Sequence, residues 1–425
     1  MSGVPWTLRC AECGATYPGL EERHRCACGA PLDVRHAGGP GLTLAQADAR
    51  LVSRRPEDRS GVWRFREWVL PLAPGELVTR QEGHTNLYDA PAVAAWAGVG
   101  RLRLKHEGEN PTASFKDRGM TVAVSMAKKL GKRSVACAST GNTSASMASY
   151  AATAGMKAYV FIPEGKVAFG KLSQAMAYGA TTLQIAGDFD RAMTLVEQLA
   201  AEEGVYLVNS VNPFRVEGQK AIAFELLQDL EWRPPDWIVL PGGNLGNNWA
   251  IAKGLAELYD GGLIPKLPRL AVIQAAGANP LYTAFTQGRP LVPMAAETLA
   301  TAIRIGNPVS WQRSLRGLAR LRGVVEEVSD QELMTAKAEV DAAGIGAEPA
   351  SCATVAGLKK LVAAGAIDPD ADICGILTGH VLKDPGTVVD YHLGKLAGIQ
   401  STRAHAPIPV EGTLEAVRRA LSAGA

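Results

Sequence analysis

Residues 236–262 read "DWIVLPGGNLGNNWAIAKGLAELYDGG". An apolar run ends in a turn of glycines and asparagines, and the turn opens a segment that reads as a helix. The apolar run lacks the polar alternation of a half-exposed strand, so it reads as a strand buried on both faces of a parallel sheet. In the turn, Gly242, Gly243 and Gly246 allow a ligand to approach the backbone closely, and Asn244 and Asn247 add polar groups. The helix that follows presents its N-terminal dipole, which makes the turn a phosphate cradle by mechanism. It is neither GxGxxG nor a P-loop, because no Lys-Ser/Thr pair follows. Taken alone, such a strand–helix turn serves a structural role equally well.

The same rhythm extends in both directions. Toward the N-terminus, "RLRLKHE" (101–107), "SVACAS" (134–139), "KAYVFIP" (157–163), "TTLQIAG" (181–187) and "VYLVNS" (205–210) read as strands. Helical segments alternate with them: "NTSASMASYAATAG" (142–155), "AFGKLSQAMAYG" (168–179), "DFDRAMTLVEQLAAEEG" (188–204) and "EGQKAIAFELLQDL" (217–230). Toward the C-terminus, "LAVIQAAG" (270–277) and "DICGILTG" (372–379) are further strands, and "AHAPIPVEGTLEAVRRALSAGA" (404–425) is a proline-stiffened link with a final helix. Alternating strands and helices predict an α/β protein of open, twisted, mostly parallel sheets with helices on both faces. Ligands of such sheets bind beyond the carboxyl ends of the strands.

Composition narrows the function class. The chain has 425 residues, 47% hydrophobic and 20% charged, with a formal net charge of +2. That balance gives no reason to expect a nucleic acid or an anionic membrane as partner. No apolar run approaches the ~20 residues of a membrane span. The opening "MSGVPWTLRC" lacks a signal pattern, which predicts a cytoplasmic protein. Four of the seven cysteines lie in "CAECGATYPGLEERHRCAC" (10–28). Cys10 and Cys13 form a CxxC pair and Cys26 and Cys28 a CxC pair, each followed by a turn glycine. Four thiolates closing on a tetrahedral zinc ion is the natural reading, with a structural role because no coordination position stays open. Unmetallated cysteines in a knuckle are the alternative. His24 is expected to be solvated rather than a ligand.

Four polar stretches follow strands. "STGNTSAS" (139–146) opens a helix with more hydroxyls than N-capping needs, which favours binding of a carboxylate or phosphate. "PGGNLGNN" (241–248) is the cradle. "NSVNPFRVEGQK" (209–220) offers Asn209, Ser210 and Arg215 to an anion. "LTGHVLKDPG" (377–386) places Thr378 at a strand end; His380 and Lys383 read as exposed. Lys116, in "NPTASFKDRGM" (110–120), precedes a helix. The dipole's positive end and burial both lower the basicity of its amine, which suits a Schiff base with a carbonyl cofactor. A lysine together with a phosphate cradle fits pyridoxal 5′-phosphate and not a nicotinamide. Asp117 and Arg118 read as helix-start and ion-pair supports.

These motifs, with "ETLATAIRIGNPVSW" (297–311) and "EPAS" (348–351), occur in an order that resembles the threonine synthase family, which has the tryptophan synthase β-like fold (type II of the pyridoxal-phosphate enzymes). The resemblance runs from about residue 76 to 390, and the N-terminal cysteines resemble the zinc-ribbon extension of many members. It implies a ribbon over 1–36, a large cofactor-binding domain from 37–120 and 210–425, and a small domain over 121–209. It implies that Lys116 holds the cofactor covalently and then shuttles protons, and that Phe115 lies beside the ring. Asn142 would bond the 3′-oxygen, and Thr378 would face the ring nitrogen. Gly242, Gly243, Asn244, Leu245, Gly246 and Asn247 would cradle the cofactor phosphate. Ser139, Thr140 and Asn142 would take the substrate carboxylate, and Thr143, Asn209, Ser210 and Arg215 the substrate phosphate. The implied reaction converts O-phospho-L-homoserine and water to L-threonine and phosphate. A homodimer is implied, and activation by an S-adenosyl ligand is not expected.

Three positions depart from the family pattern. Ala113 and Val381 stand where glycine is usual, and Ala347 where a larger residue or cysteine is common. Two rival readings are weighed. One is a related pyridoxal-phosphate enzyme, either using phosphoserine and sulfite, as a cysteate synthase does, or deaminating threonine. The other is a zinc-ribbon binding protein whose α/β body has lost activity; against it, "EERHR" (21–25) is mixed in charge and not a basic stripe.

Overall fold

The computed structural model describes residues 4–38, 41–164, 169–187 and 189–423. The first residues of the expected helices at 168–179 and 188–204, and both ends of the chain, lie outside these ranges. At the N-terminus, β1 (Trp6–Cys10), β2 (Thr16–Pro18) and β3 (Leu32–His36) form an antiparallel sheet in the order β2-β1-β3. Trp6, Leu8 and Cys10 alternate inward along β1. Leu8, Leu32 and Val34 are fully buried in the same apolar cluster as Ile251 and Leu255. A module this small buries too little surface to stand alone. Here it shares the core of the body.

The body contains two further sheets. β4 (Leu87–Asp89) and β5 (Leu102–His106) begin the larger one. The chain then builds a four-stranded, all-parallel sheet from β6 (Ser134–Ala138), β7 (Lys157–Pro163), β8 (Thr181–Ile185) and β9 (Tyr206–Leu207), in the order β8-β7-β6-β9. It returns to the larger sheet with β10 (Trp237–Pro241), β11 (Arg269–Ala275), β12 (Val324–Val328) and β13 (Ile373–Leu377). That sheet runs β12-β11-β10-β13-β5-β4, parallel throughout except at β4. Every predicted strand is present. The strands of these two sheets that the sequence does not predict, β4 and β12, lie at the sheet edges, where apolar runs are short or interrupted by charge.

Helices Lys116–Lys129 and Pro213–Asp229 join the two sheets. They cross closely because two glycines meet there. A Cβ on Gly218 would lie 1.8 Å from the Arg118 carbonyl oxygen, and one on Gly119 2.8 Å from that of Arg215. A buried ion network fixes the crossing. Arg118 grips Glu107 through two bonds of 2.6 Å and donates to Glu225 at 2.8 Å. Lys105 and Arg64 complete the ring around Glu225 at 2.8 and 2.9 Å. Breaking one arm of such a network leaves an unpaired buried charge, which costs about 3–5 kcal/mol. Arg118 is thus the ion-pair support expected of it.

The topology sets the site. β10, β13 and β5 are adjacent and parallel, so their carboxyl ends share one edge. The glycine loop, Thr378 and the segment leading to Lys116 leave from that edge. β6 and β9 are likewise neighbours, and "STGNTSAS" and "NSVNPFR" leave from their carboxyl ends. No helix among the described residues is long and apolar enough to cross a membrane.

Candidate active site

Lys116 is the first residue of its helix. Its Nζ lies 4.1 Å from the centroid of the Phe115 ring. Burial, then the nearby Arg215 guanidinium, push its amine down to about 7, while Glu348 pulls the other way. The segment before it is held at several points. The Phe115 N–H donates to the Thr378 carbonyl at 3.0 Å, and the His380 N–H to the Ala113 carbonyl at 3.1 Å. Asp117 accepts from the Thr112 N–H and hydroxyl at 2.7 and 2.6 Å and from Ser146 at 2.6 Å. Ser146 lies on the helix Asn142–Thr153, so Asp117 ties the lysine segment to the element that begins with Asn142.

Ala113 has φ +65°. A residue with a Cβ pays roughly 1–2 kcal/mol to sit in that left-handed region. The departure from glycine noted in the sequence is therefore a departure into strain. Ala113→Gly is expected to raise unfolding stability by about 1 kcal/mol, partly offset by a looser unfolded chain. Urea unfolding measures it, and a less stable glycine variant would show the strain to be relieved elsewhere.

The glycine loop opens the helix Gly246–Asp260 through Leu245, whose φ is +63° and whose side chain is buried. Among the described residues no acceptor takes the N–H groups of Gly243, Asn244 or Leu245, and the first N–H groups of a helix have no partner within it. A Cβ on Gly243 would press the Ala302 carbonyl and Ile303 at 3.2 Å, and one on Gly242 would lie 2.7 Å from Val272. The amide oxygen and nitrogen of Asn247 are both buried without a partner, as is the Ser114 hydroxyl. Buried polar groups are rarely left unpaired, so unfilled donors around a glycine backbone fit a bound phosphate.

On the facing side, the helix Asn142–Thr153 starts from Gly141 with no side-chain cap. The hydroxyls of 139–146 are therefore not ordinary caps. Ser139 accepts from the Gly141 N–H at 3.2 Å, and Ser144 donates to the Gly141 carbonyl at 2.8 Å. Ser139, Thr140 and Thr143 are partly exposed. Asn209 has its amide engaged: it accepts from the Ala138 N–H at 3.0 Å and donates to the Ala138 carbonyl at 3.1 Å. Ser210 follows it, partly exposed. Arg215 is 2% exposed; it donates to the Val208 carbonyl at 3.0 Å and its Nε has no partner. Burial draws its pKa down to about 10. Among the described residues no carboxylate pairs with it.

Two residues outside the predicted set stand at the centre. Glu348, 5% exposed, accepts from Asn142 Nδ2 at 3.1 Å and from the Thr378 hydroxyl at 3.5 Å. Burial holds its carboxyl above the usual range. Ser351 shares a hydrogen bond of 3.0 Å with the Thr378 hydroxyl and accepts from the Thr378 and Gly379 N–H groups at 2.9 Å. Gly379 is required there, since a Cβ would lie 2.4 Å from the Glu348 carboxylate. His380 accepts from the Leu382 N–H at 3.2 Å and caps a short turn, and Lys383 donates to the Thr112 carbonyl at 3.1 Å and to Gln174. His380 and Lys383 are thus both partly buried and engaged, which corrects the expectation of exposure for each.

At the N-terminus the four cysteine sulfurs lie within 4.8 Å of one another, with Cys10–Cys28 and Cys13–Cys26 at 3.5 Å. Tetrahedral thiolates at ~2.3 Å from an ion stand about 3.8 Å apart, so the set fits a single metal. His24 lies outside the sulfur cluster and is only partly exposed. It packs on Tyr206 at 5.4 Å and faces Asn212 at 3.3 Å, and burial lowers its pKa to about 4.

A weakly basic lysine and a glycine backbone rich in free donors, both leaving one edge of the larger sheet, suit an enzyme that holds an aldehyde cofactor by its phosphate and by a lysine. The description "Pyridoxal-phosphate dependent enzyme" matches residues 78–379, and the chain belongs to that family. It is 45% identical over 385 residues to a threonine synthase of Methanocaldococcus jannaschii, covering 90% of this chain and 94% of that one. It is 44% identical over 418 residues to a threonine synthase of Methanosarcina acetivorans, covering 97% and 98%. Threonine synthase from Escherichia coli shares the fold at 18% identity, with a TM-score of 0.69 over 99% of this chain and 100% of that one.

Proposed function

We propose that the protein is a pyridoxal-phosphate-dependent lyase that converts O-phospho-L-homoserine and water to L-threonine and phosphate. The observation that carries this reading is the pairing of Lys116 with a second anion site, the buried and uncompensated Arg215. Pyridoxal phosphate, when bound, supplies an electron sink that makes the protons on the substrate's Cα and Cβ removable.

The other tasks fall to the chain. The Gly242–Asn247 loop holds the cofactor phosphate on its N–H groups. Phe115 would stand beside the ring, with Asn142 available to its 3′-oxygen and the neutral Thr378 hydroxyl available to its nitrogen. Ser139, Thr140 and the N–H groups at the start of the Asn142 helix receive the substrate carboxylate. Arg215, with Thr143 and Ser210, receives the substrate phosphate, and Asn209 fixes the rim around it. Lys116 holds the cofactor and moves protons between Cα and Cγ, which an amine titrating near neutrality does efficiently. Phosphate leaves from Cγ and water adds at Cβ. A structural zinc on Cys10, Cys13, Cys26 and Cys28, a homodimeric assembly and a cytoplasmic location complete the reading. Cys137, Cys352 and Cys374, buried and unpaired, support a reducing compartment.

The test is phosphate release from O-phospho-L-homoserine by the cofactor-loaded protein, with threonine quantified in parallel. Equal amounts are expected. Phosphate without threonine would mean that water addition fails, and neither product would turn the reading toward phosphoserine with an external nucleophile.

Two further results are expected. The amine must be unprotonated to attack the cofactor aldehyde, so uptake by the apoprotein should quicken with pH through a midpoint near 7. An unperturbed lysine would keep the rate climbing toward its usual 10.5. Stopped-flow absorbance across pH separates the two. Glu348→Gln keeps the side chain's shape but weakens it as the shared acceptor for Asn142 and Thr378. It should lower kcat/KM about tenfold. Stability should hold, since a neutral amide is cheaper to bury than a carboxylate. Unchanged kinetics would show that Asn142 and Thr378 are oriented without it.

A further inference from the structure

The four-cysteine module touches the body at the elements that carry the two phosphate sites. β3 begins four residues after Cys28. Its Asp33, 4% exposed, pairs with Arg313 at 2.9 Å and accepts from Trp249 Nε1 at 2.8 Å. Trp249 lies in the first turn of the helix that the glycine loop opens. Arg313 also donates to the Ser310 hydroxyl at 2.7 Å. Ser310 and Val309 in turn hold Asn244 of the glycine loop: the Ser310 N–H donates to the Asn244 carbonyl at 3.3 Å, and the Val309 N–H to its Oδ1 at 2.6 Å. A chain of hydrogen bonds thus leads from β3 to the loop.

Other contacts reach the helix of Arg215. The Val34 carbonyl accepts from Lys253 at 2.8 Å, and Lys253 pairs with Glu217, two residues beyond Arg215. His36 bonds Glu217 at 3.0 Å. His24 faces Asn212, whose side chain caps that helix by accepting from the Phe214 N–H at 3.0 Å. Most of these groups are buried, and apart from Asn244 none belongs to the site itself.

We propose that the module is a clamp. β3 locks the helix of Arg215 to the helix of the glycine loop, and the metal that folds the module thereby sets how tightly the protein holds its cofactor. The proposal rests on reading Gly242–Asn247 as the cofactor's phosphate cradle. Asp33 acts as a positioning residue. Without its charge, Arg313 loses its only close carboxylate among the described residues, and Ser310 and Asn244 lose their anchor. The cradle must then be ordered when the phosphate binds, and affinity falls.

The test titrates apoprotein with pyridoxal phosphate and follows the visible absorbance, with thermal unfolding of the apoprotein as a control. Asp33→Asn is expected to weaken cofactor binding about tenfold. A second arm needs no variant. A mercurial titrated into wild-type apoprotein displaces zinc, read with a metallochromic dye. It reaches the module first, because Cys13 and Cys28 are exposed whereas Cys137, Cys352 and Cys374 are buried. Cofactor affinity should fall in step with the zinc released. Full zinc release with unchanged affinity would overturn the clamp, as would an Asp33→Asn protein that binds the cofactor like wild type. Untreated wild-type protein that takes up no pyridoxal phosphate would overturn the cradle reading and the clamp together.

Discussion

The Lys116→Ala protein is expected to bind pyridoxal phosphate without forming the lysine linkage and to turn over at least about a thousandfold more slowly. Two functions vanish with one side chain. No amine remains to hold the aldehyde, and none remains to carry the protons that the proposed reaction requires. The fold should survive. The amine is driven toward its neutral form by burial and by Arg215, and removing a group that is costly to bury does not weaken a structure. The control is therefore an unchanged unfolding transition in the apoprotein. The spectrum decides the outcome: if the variant shows the visible absorbance of the wild-type linkage, another amine holds the cofactor and the placement of Lys116 is wrong.

The second large effect is expected at Arg215. A buried guanidinium ordinarily has a carboxylate beside it. This one has the Val208 carbonyl, an unpartnered Nε and a lysine nearby. Such a charge is uncompensated until an anion arrives. The interaction gained when a phosphate fills the gap is of the order lost on truncating one partner of a buried charge pair, about 3 kcal/mol or more. Arg215→Ala should therefore lower kcat/KM for O-phospho-L-homoserine over about a hundredfold. It should also abolish inhibition by inorganic phosphate while leaving cofactor affinity nearly intact. Loss of cofactor binding instead would place Arg215 with the cofactor and remove the argument for a second phosphate site. Arg215→Lys should recover little, because a point charge does not replace a two-toothed fork.

Much of this architecture is readable before any coordinates, for a specific reason. Strands buried on both faces become continuous apolar runs, and each ends where the ligand edge begins. "DWIVLPGG" and "DICGILTG" therefore mark both a strand and a site. Lys116 stands out because small and turn-forming residues flank it. Glu348 gives no such signal: an acid before Pro-Ala-Ser reads as a helix start. Its importance comes from β13 bringing Thr378 beside it and from Asn142 arriving from the other sheet. Asn209 read as a free ligand, and only the pairing of β6 with β9 reveals that Ala138 engages both ends of its amide. His24 and Asp33 likewise take their meaning from surfaces hundreds of residues away in sequence.

The left-handed backbone at Ala113 and Leu245 has a kinetic consequence. One stands before Lys116 and the other within the glycine loop, the two segments that the proposed reading assigns to the cofactor, and the chain already holds both in their unfavourable conformation. Freezing one backbone residue costs roughly 1–2 kcal/mol of conformational entropy. That cost was met when the chain folded, so it is not charged again on encounter. Association should then behave as the docking of two rigid bodies. Its rate should follow ligand concentration linearly, without the plateau that a slow closing of loops imposes.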